Sequence, residues 1–358
     1  MKTSRPMIIS STQFVIFLII NYTIFYGFSF TFNLPQNIYY YIVMLIVALA
    51  LPTSQLLLKF SSNTLVRSLY AVSAFWLGMS SYILILFAVY LIARFFIQIP
   101  TQTAGILIVT SALIISVYAT FNTTKLKIEQ LNIPLNGLKD DIRAVQISDV
   151  HLGPIRKFGF IRKMVNKIIY LNPEIVFITG DLFDGSSKLP DDILKDFNRI
   201  KVPIIFIMGN HDFYQGLNEV SNFMSTTPIN ILNNQALDFK GLQVIGVPFS
   251  WDKKYLEKTL KNIDYDQNKP TILLYHLPSE FKAAKDAGID LQLSGHTHAG
   301  QFFPFNYLVK LMFPHISGLY ENQGSFLYVS QGTGTLLPPM RLGSRCEITL
   351  INLTVQKP

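Results

Sequence analysis

The sequence predicts two parts of different fold class, an all-α transmembrane region of four helices followed by an α/β domain. The parts differ in charge, because residues 1–124 hold five basic residues and no Asp or Glu, whereas the other 25 basic and all 22 acidic residues follow. They also differ in pattern, because long apolar runs fill the first part and short apolar runs alternate with helix-like stretches in the second. We therefore predict a transmembrane region over residues 1–124 and one globular domain over residues 125–358.

Composition narrows the class of protein. The 358 residues are 50% hydrophobic and only 15% charged, against about 25% charged in soluble domains. This excludes a purely cytosolic enzyme and a disordered chain. The net charge of +8 could indicate a nucleic-acid partner, but five of these charges flank apolar segments. We interpret them as topology signals and predict no nucleic-acid partner. The single cysteine, Cys346, excludes an intrachain disulfide and a cysteine-cluster metal site.

The lengths of the uncharged runs predict four membrane-spanning helices. Between Arg5 and Lys59 lie 53 uncharged residues, which suit two spans of about 20 residues with a turn between them. The 26 uncharged residues between Arg67 and Arg94 suit a third, tilted span, and a fourth is predicted over 104–121. A cleaved signal peptide fits poorly, because the first run is long, lacks a small-x-small cleavage site and is followed by more spans.

The basic residues predict the orientation of these spans. Those on one side are Lys2, Arg5, Lys59, Arg67, Lys125 and Lys127. Only Arg94 falls on the other side. The positive-inside rule then predicts a multi-pass protein of the cell membrane, with both termini and the domain from residue 125 in the cytoplasm. Because no Asp, Glu, Lys, Arg or His lies in the interior of a span, anchoring is favoured over transport.

Apolar runs after residue 125 predict the elements of an α/β domain. Strands are predicted at 142–148, 175–179, 204–208, 242–247, 271–275, 291–294, 326–330 and 347–353. Helices are predicted at 158–171, 190–199, 216–226, 252–262 and 280–287.

Five of the six histidines follow predicted strand ends, beside other potential metal ligands. The clusters are Asp149-Val150-His151, Gly180-Asp181, Gly209-Asn210-His211-Asp212, Tyr275-His276 and Gly295-His296-Thr297-His298. An α/β sheet presents its ligand-binding residues at such positions. A lone Asp at a strand end is usually a turn or helix-cap residue and a lone His is usually a core residue, but five clusters together indicate a metal site.

The residue types indicate two divalent ions. Asp, Asn and His offer oxygen and imidazole donors without thiolate, which suits Mn, Fe or Zn ions. Two ions about 3.5 to 4 Å apart need a ligand that bridges them. Asp181 is the natural candidate, because a carboxylate has two oxygens. The glycines beside Asp181, Asn210 and His296 would let the backbone turn tightly around one centre.

The order of these five motifs resembles that of the calcineurin-like metallophosphoesterase superfamily, over about residues 143–350. The tail, with Ser330 to Gly334 followed by Pro339, Met340 and Arg341, resembles the bacterial membrane-associated subgroup, which includes relatives of the enzymes that hydrolyse UDP-diacylglucosamine. The resemblance implies a four-layer sandwich of two mixed β-sheets flanked by helices. It also implies that residues 125–358 form a metallophosphoesterase catalytic domain.

The resemblance also implies roles, motif by motif. The first metal ion would be held by Asp149, His151, Asp181 and His298. The second would be held by Asp181, Asn210, His276 and His296. His211 would protonate the leaving group or stabilise the phosphoryl oxygens. Asp212 would either orient His211 or cap the following helix.

The implied reaction is the in-line attack of a metal-bridging hydroxide on phosphorus. The substrate would be a phosphodiester, pyrophosphate or monoester in or near the membrane, such as a lipid or cell-envelope precursor. Two alternatives stay open: a non-catalytic metal-binding platform or signalling protein on the same fold, and a phosphodiesterase for soluble substrates that is tethered only for location. The oligomeric state is not predicted.

Four single residues and one segment complete the sequence-based expectations. We expect Asp184 to be a loop acid and His315 to have a structural or surface role. Arg341 and Arg345 would either contact substrate phosphate or belong to a solvated basic loop. The segment 302–313 holds Phe, Leu, Val or Met at eight of twelve positions. It would form either an apolar rim for an acyl chain or the bilayer surface, or a hairpin that covers the sheet.

Overall fold

The structure is a computed structural model that describes the backbone of residues 5–356 and the side chains of residues 12–356. Lys2, from which the sequence predicts orientation, lies outside the described residues. The chain forms two compact units. The first extends to Phe121 and includes Leu337–Met340, and the second comprises Asn122–Leu336 and the chain from Arg341 onward. The domain boundary between residues 124 and 125 stays a prediction.

Four long helices form the first unit, as predicted. They are α1 (Arg5–Phe32), α2 (Ile38–Leu58), α3 (Thr64–Ala93) and α4 (Thr101–Asn122). Each has a stretch long and apolar enough to cross a membrane. Asparagine side chains begin two of them: Asn37 caps α2 by accepting from the backbone N–H of Tyr40, and Asn63 caps α3. Both small residues, such as Ala74, and larger ones, such as Ile83, are buried in the helical unit, whereas many other large apolar side chains face outward.

Two six-stranded mixed sheets form the second unit. The first has the order β1-β12-β2-β3-β4-β5, and its strands are β1 (Leu126–Leu135), β2 (Ile142–Ile147), β3 (Ile175–Thr179), β4 (Ile204–Ile207), β5 (Ile229–Ile231) and β12 (Cys346–Val355). The second has the order β10-β11-β9-β8-β7-β6, and its strands are β6 (Gln235–Phe239), β7 (Leu242–Val247), β8 (Thr271–Tyr275), β9 (Leu291–Ser294), β10 (Gly318–Asn322) and β11 (Ser325–Val329). Strands β2 to β5 run parallel, as do β7, β8, β9 and β11.

Helices cover the outer faces of the sheets: α5 (Phe158–Tyr170) and α7 (Leu217–Met224) pack on the first sheet, and α8 (Tyr255–Leu260) and α9 (Phe281–Asp286) pack on the second. Two further helices, α6 (Asn210–Gln215) and α10 (Phe305–Met312), follow β4 and β9. Alternate strand residues point to opposite faces, so Val176 packs towards α5 and α7 while Phe177 packs between the two sheets. A third cluster packs Leu273 against α8 and α9. The layers are therefore helix, sheet, sheet and helix, and the predicted four-layer sandwich is confirmed.

The predicted elements were incomplete at the sheet edges. The four strands that the sequence did not predict are β1, β5, β6 and β10, and these are the four edge strands. Edge strands are partly exposed, so their apolar pattern is weak. The helix predicted over 190–199 is wrong, because a turn occupies 191–194 and only a short 3₁₀ helix, Lys195–Arg199, follows.

Candidate metal centre

The predicted ligands lie at the carboxyl ends of five strands, where the two sheets present their loops to one place. Asp149 and His151 follow β2, and Asp181 follows β3. Three further short loops supply the rest: Asn210 follows β4, His276 follows β8, and His296 and His298 follow β9. Because these strands are parallel neighbours within each sheet, their ends meet at one edge.

One group consists of Asp149, His151 and His298. The Nε2 atoms of the two histidines are 3.1 Å apart, and His298 Nε2 is 3.4 Å from Asp149 Oδ1. All three side chains are buried. Burial, aided by nearby cationic groups, lowers the pKa of both histidines well below the usual value. Both imidazoles are therefore neutral and offer lone pairs.

A second group consists of Asp181, His276 and His296. His276 Nε2 is 3.3 Å from Asp181 Oδ2 and 3.3 Å from His296 Nδ1. His276 donates Nδ1–H to the Thr179 carbonyl at 2.8 Å, which turns Nε2 towards the group. Burial opposes protonation of His276, yet the Asp181 carboxylate raises the pKa of His276 to about 10. Burial lowers the pKa of His296 to about 3.

Asp181 lies between the two groups. Its Oδ2 atom is 3.3 Å from His276 Nε2 in one group and 3.9 Å from His151 Nε2 in the other. The Oδ1 atom instead accepts the backbone N–H of His211 at 2.8 Å. Burial would raise the pKa of Asp181, but the surrounding histidines, His276 foremost, lower it below its usual value. One ionised oxygen is thus shared by both groups.

The donor atoms fit divalent ions. Ligands about 2.1 Å from an ion lie about 3.0 to 3.4 Å from one another, which is close to the shorter distances in both groups. Asn210 is buried and its Oδ1 atom has no hydrogen-bond partner. A buried acceptor without a donor is rare in proteins. Ligation of a cation would account for both this acceptor and the facing lone pairs of His151 and His298.

Backbone strain is concentrated at these residues. Five of the seven predicted ligands have φ between 51° and 71°, namely Asp149, His151, Asp181, His296 and His298. A left-handed conformation costs a non-glycine residue roughly 1 to 2 kcal/mol. Hydrogen bonds hold one of the strained loops, because the Asp212 carboxylate accepts the backbone N–H groups of Asp181, Phe183 and Gly209. Asp212 therefore fixes the Asp181 loop and the start of α6, and its contacts match the capping alternative.

Two glycines permit the close approach of the loops. A Cβ atom on Gly209 would lie 2.2 Å from Asp181 Oδ1 and 2.5 Å from the Asp181 backbone nitrogen. A Cβ atom on Gly180 would lie 2.4 Å from His276 Nδ1, and Gly180 also has φ of +92°. No larger residue fits either position without moving a predicted ligand.

His211 lies at the edge of the first group. It is half-buried, and its ring is 4.8 Å from the ring of His151. Its Nδ1 donates to the carbonyl of Asp184 at 2.8 Å, because a carbonyl can only accept. This bond leaves Nε2 available to another group.

The structure adds Asp184 to the surroundings of the site. Asp184 Oδ1 is 3.7 Å from His151 Nδ1, and the residue can form a third group with His151 and His211. Burial raises the pKa of its carboxyl. The expectation of a simple loop acid is therefore incomplete. Its spacing, three residues after Asp181, was the available signal.

Both alternatives predicted for Arg341 are wrong. The side chain is 0% exposed, so it neither belongs to a solvated loop nor reaches a substrate. Its guanidinium instead donates to the carbonyls of His298 and Gly334 at 2.8 and 2.7 Å. Arg341 therefore supports the His298 loop from behind. Arg345 is exposed.

The segment after the last ligands is a helix. The alternative of a hairpin is wrong, because α10 occupies Phe305–Met312. The next residue, Phe313, packs its ring 5.4 Å from that of His296. Phe249 lies 6.2 Å from His296 and contacts the exposed Trp251. Aromatic side chains therefore border the second group.

His315 has the structural surroundings expected of it. The ring is half-buried, 4.5 Å from the ring of Tyr320 and 6.1 Å from that of Phe281. It belongs to neither group of predicted ligands.

Comparison with known proteins identifies similar sequences. A family model described as calcineurin-like phosphoesterase matches residues 142–300. An uncharacterized metallophosphoesterase of Campylobacter jejuni is 36% identical over 262 residues, which cover 70% of the chain and 69% of that relative. One of Helicobacter pylori is 33% identical over 237 residues, which cover 63% of the chain and 64% of the relative's length. A transmembrane protein with metallophosphoesterase domain of Danio rerio is 33% identical over 279 residues, which cover 70% of the chain and 62% of that protein.

Proposed function

The chain belongs to the calcineurin-like phosphoesterase family, and we therefore propose that it is a membrane-anchored phosphoesterase with two divalent metal ions. The observation that carries the proposal is the position of Asp181 Oδ2, within 4 Å of a histidine from each group of donors. We propose residues 1–124 as the anchor and 125–358 as the catalytic domain.

The proposed ligand sets follow the two groups. Asp149, His151, Asp181 and His298 would hold one ion. Asp181, Asn210, His276 and His296 would hold the other. The bound ions would supply positive charge that activates water as the nucleophile and stabilises the phosphoryl oxygens.

His211 would act on the leaving group. The Asp184 carbonyl can accept Nδ1–H in either protonation state of the ring, so it fixes the ring while Nε2 gives or takes a proton. Protonated Nε2 would donate to the leaving oxygen as its bond to phosphorus breaks. The position of His211 supports this role, because its backbone N–H donates to Asp181 Oδ1 and so holds the residue beside the proposed bridging ligand.

The proposed activity is tested by hydrolysis of a chromogenic phosphodiester by the full chain in detergent, after chelation and with added Mn²⁺. We expect metal-dependent turnover. Asp181→Asn should lower turnover by at least about a hundredfold, because even outer-shell changes cost 10 to 100-fold. His211→Ala should lower it by about 10² to 10⁴-fold while metal content stays normal. Asp286→Asn, an exposed position, is the matched control.

A folded, metal-loaded chain that hydrolyses neither diesters nor monoesters would contradict the proposal. That result would favour the non-catalytic metal-binding platform.

We propose further that the substrate is lipid-linked. The support is the apolar border of the site, where Phe249 and Phe313 lie beside His296 and the exposed Trp251 packs against Phe249. Turnover of a diacyl phosphoester in mixed micelles should exceed turnover of a soluble nucleotide phosphoester of the same bond type. Equal turnover would favour a tethered enzyme for soluble substrates.

The four apolar helices and the similarity to a transmembrane protein support membrane anchoring. We propose a multi-pass topology with the catalytic domain in the cytoplasm, on the basic residues given above. Reporter fusions after Thr124 test this. An extracytoplasmic signal would reverse the orientation without affecting the chemistry.

A further inference from the structure

Helix α10 turns its apolar face to solvent. Tyr307, Leu308, Leu311 and Met312 are all exposed, with Leu311 at 84% and Met312 at 75%. At 100° per residue, these four lie on one side of the helix. No residue of α10 is buried. A helix of a soluble domain normally turns this face to the core.

The other side of α10 faces the protein. Its partly buried residues are Phe305, Asn306 and Val309, and the Phe305 ring lies 4.9 Å from the ring of the buried Phe302. The helix is therefore attached through this side, and the face formed by Tyr307, Leu308, Leu311 and Met312 takes no part in the core.

Charge around the helix favours an anionic surface as its partner. Between Asp290 and Glu321 the only Asp, Glu, Lys or Arg residue is Lys310. Lys310 is exposed and is the one charged side chain of α10, and a lysine beside a membrane is attracted to acidic lipid headgroups. Exposed aromatic side chains such as Phe303 and Tyr307 also suit the membrane interface.

The short linker after α4, a helix that we propose to span the membrane, keeps the start of this domain close to the bilayer. Only residues 123–125 separate the end of α4 from the start of β1, and three residues span at most about 11 Å. The C-terminal end of α10 leads directly into Phe313, whose ring contacts that of His296.

We propose that α10 lies in the headgroup region of the bilayer, with Tyr307, Leu308, Leu311 and Met312 in the acyl boundary. This inference rests on the proposed membrane anchoring but not on catalysis. It brings the second group of ligands to the membrane surface, where a phosphoester of a membrane lipid is presented without leaving the bilayer.

Quenching of a fluorescent label by brominated lipids tests the position of α10. The full chain is placed in nanodiscs of brominated phosphatidylcholine and phosphatidylglycerol, labelled in turn at Leu311→Cys, Tyr170→Cys and Ile114→Cys. Cys346 is buried, so the introduced thiol takes the label. Tyr170 is an exposed residue at the end of α5, and Ile114 is an exposed residue in α4.

We expect quenching at Leu311 to be several-fold stronger than at Tyr170 and strongest with bromines near the headgroup. Quenching at Ile114 but not at Leu311 would overturn the inference and leave the anchoring intact. Absence of quenching at both would overturn the anchoring and the inference together. Self-quenching between labels at Leu311, without lipid quenching, would also overturn it and indicate a second copy as the partner.

A second measurement places the label at Met312→Cys in a Leu308→Ser/Leu311→Ser chain. Lipid quenching should fall several-fold relative to the chain with Met312→Cys alone. Tyr170→Ser/Leu217→Ser, which changes two exposed side chains elsewhere, is the matched control and should leave quenching at residue 312 unchanged.

Discussion

The helical region and the sandwich differ in the share of small residues that they bury. In the helical region the fully buried side chains include Ala74, Ala112 and Ser116 beside larger ones such as Ile83, whereas large side chains such as Ile114 also point outward. In the sandwich the fully buried residues are large, as with Phe177 and Phe206. Helices in lipid gain little from burying large apolar groups and associate through close packing of small ones. Water drives the reverse arrangement.

The difference teaches that exposure of apolar residues has a meaning only relative to the local solvent. In α1 to α4 it is the ordinary arrangement for lipid. In α10 the same arrangement occurs within the sandwich, which is why α10 is the one helix of that unit for which we propose a lipid environment.

The largest expected effect comes from a glycine at the candidate metal centre, Gly209, compared with a glycine in the helical region, Gly105. Gly209→Ala should lower turnover by at least about a hundredfold and reduce the amount of bound metal, because the new Cβ atom would clash with the Asp181 carboxylate and backbone. Turnover and metal content of the purified full chain measure this.

Gly159→Ala is the control, because a Cβ atom there has nothing within 4 Å and alanine favours helix α5. Gly105→Ala in α4 should keep turnover and lose only stability, because its Cβ would meet side chains of α1. Full activity of Gly209→Ala would remove the argument from close approach.

Removing a large side chain should harm the sandwich. Phe177→Ala leaves a cavity between the sheets and should lower the free energy of unfolding of this unit by about 3 to 5 kcal/mol. The measurement is the thermal midpoint of the full chain in detergent, determined from the loss of turnover with temperature. Tyr170→Ala, at an exposed position, should change it by less than about 0.5 kcal/mol. Equal effects would mean that Phe177 is not a core residue.

Adding a large side chain should harm the helical region. Ser116→Leu forces three extra carbons between helices and should cost about 1 to 3 kcal/mol. Thermal loss of helical circular dichroism in nanodiscs reports the change. Ile114→Leu, on the outward face, keeps its volume and should have no effect. An unaffected Ser116→Leu protein would show that the helices do not pack closely at this position.

The smallest expected effect concerns pH, which should act on the sandwich and not on the spans. Burial raises the pKa of Glu347, whose carboxylate accepts from Tyr328, Ser330 and the backbone of Gln331. The folded state then binds the proton more tightly than the unfolded state. Its contribution to stability is therefore lost as pH rises from about 4.3 through the folded pKa.

Glu347→Gln keeps the accepting oxygen and removes this titration. We expect the thermal midpoint of the natural chain to fall relative to that of Glu347→Gln as pH rises through this window. Parallel pH profiles of the two proteins would contradict the raised pKa.

Prediction from sequence succeeded where the pattern lies in residues that are neighbours along the chain. Central strands, buried on both faces, appear as continuous apolar runs, so the strand ending at Thr179 was predicted with both of its bounds. Edge strands were missed because they are partly in water, as in β10, where three of five residues are exposed and none is buried. Arg341 was misjudged because its partners, the His298 and Gly334 carbonyls, come from loops that meet only in three dimensions.

The sequence by itself determined the apolar helices, the α/β alternation and the residue types of the candidate metal centre, because run length, periodicity and ligand chemistry are local properties. Only the tertiary structure decided that Asp181 Oδ2 lies between the two histidine groups, that Asp184 lies behind His151, and that α10 turns its apolar face outward. These facts depend on how strands of two sheets converge and on which side of a helix is already occupied. No pattern along the chain records either.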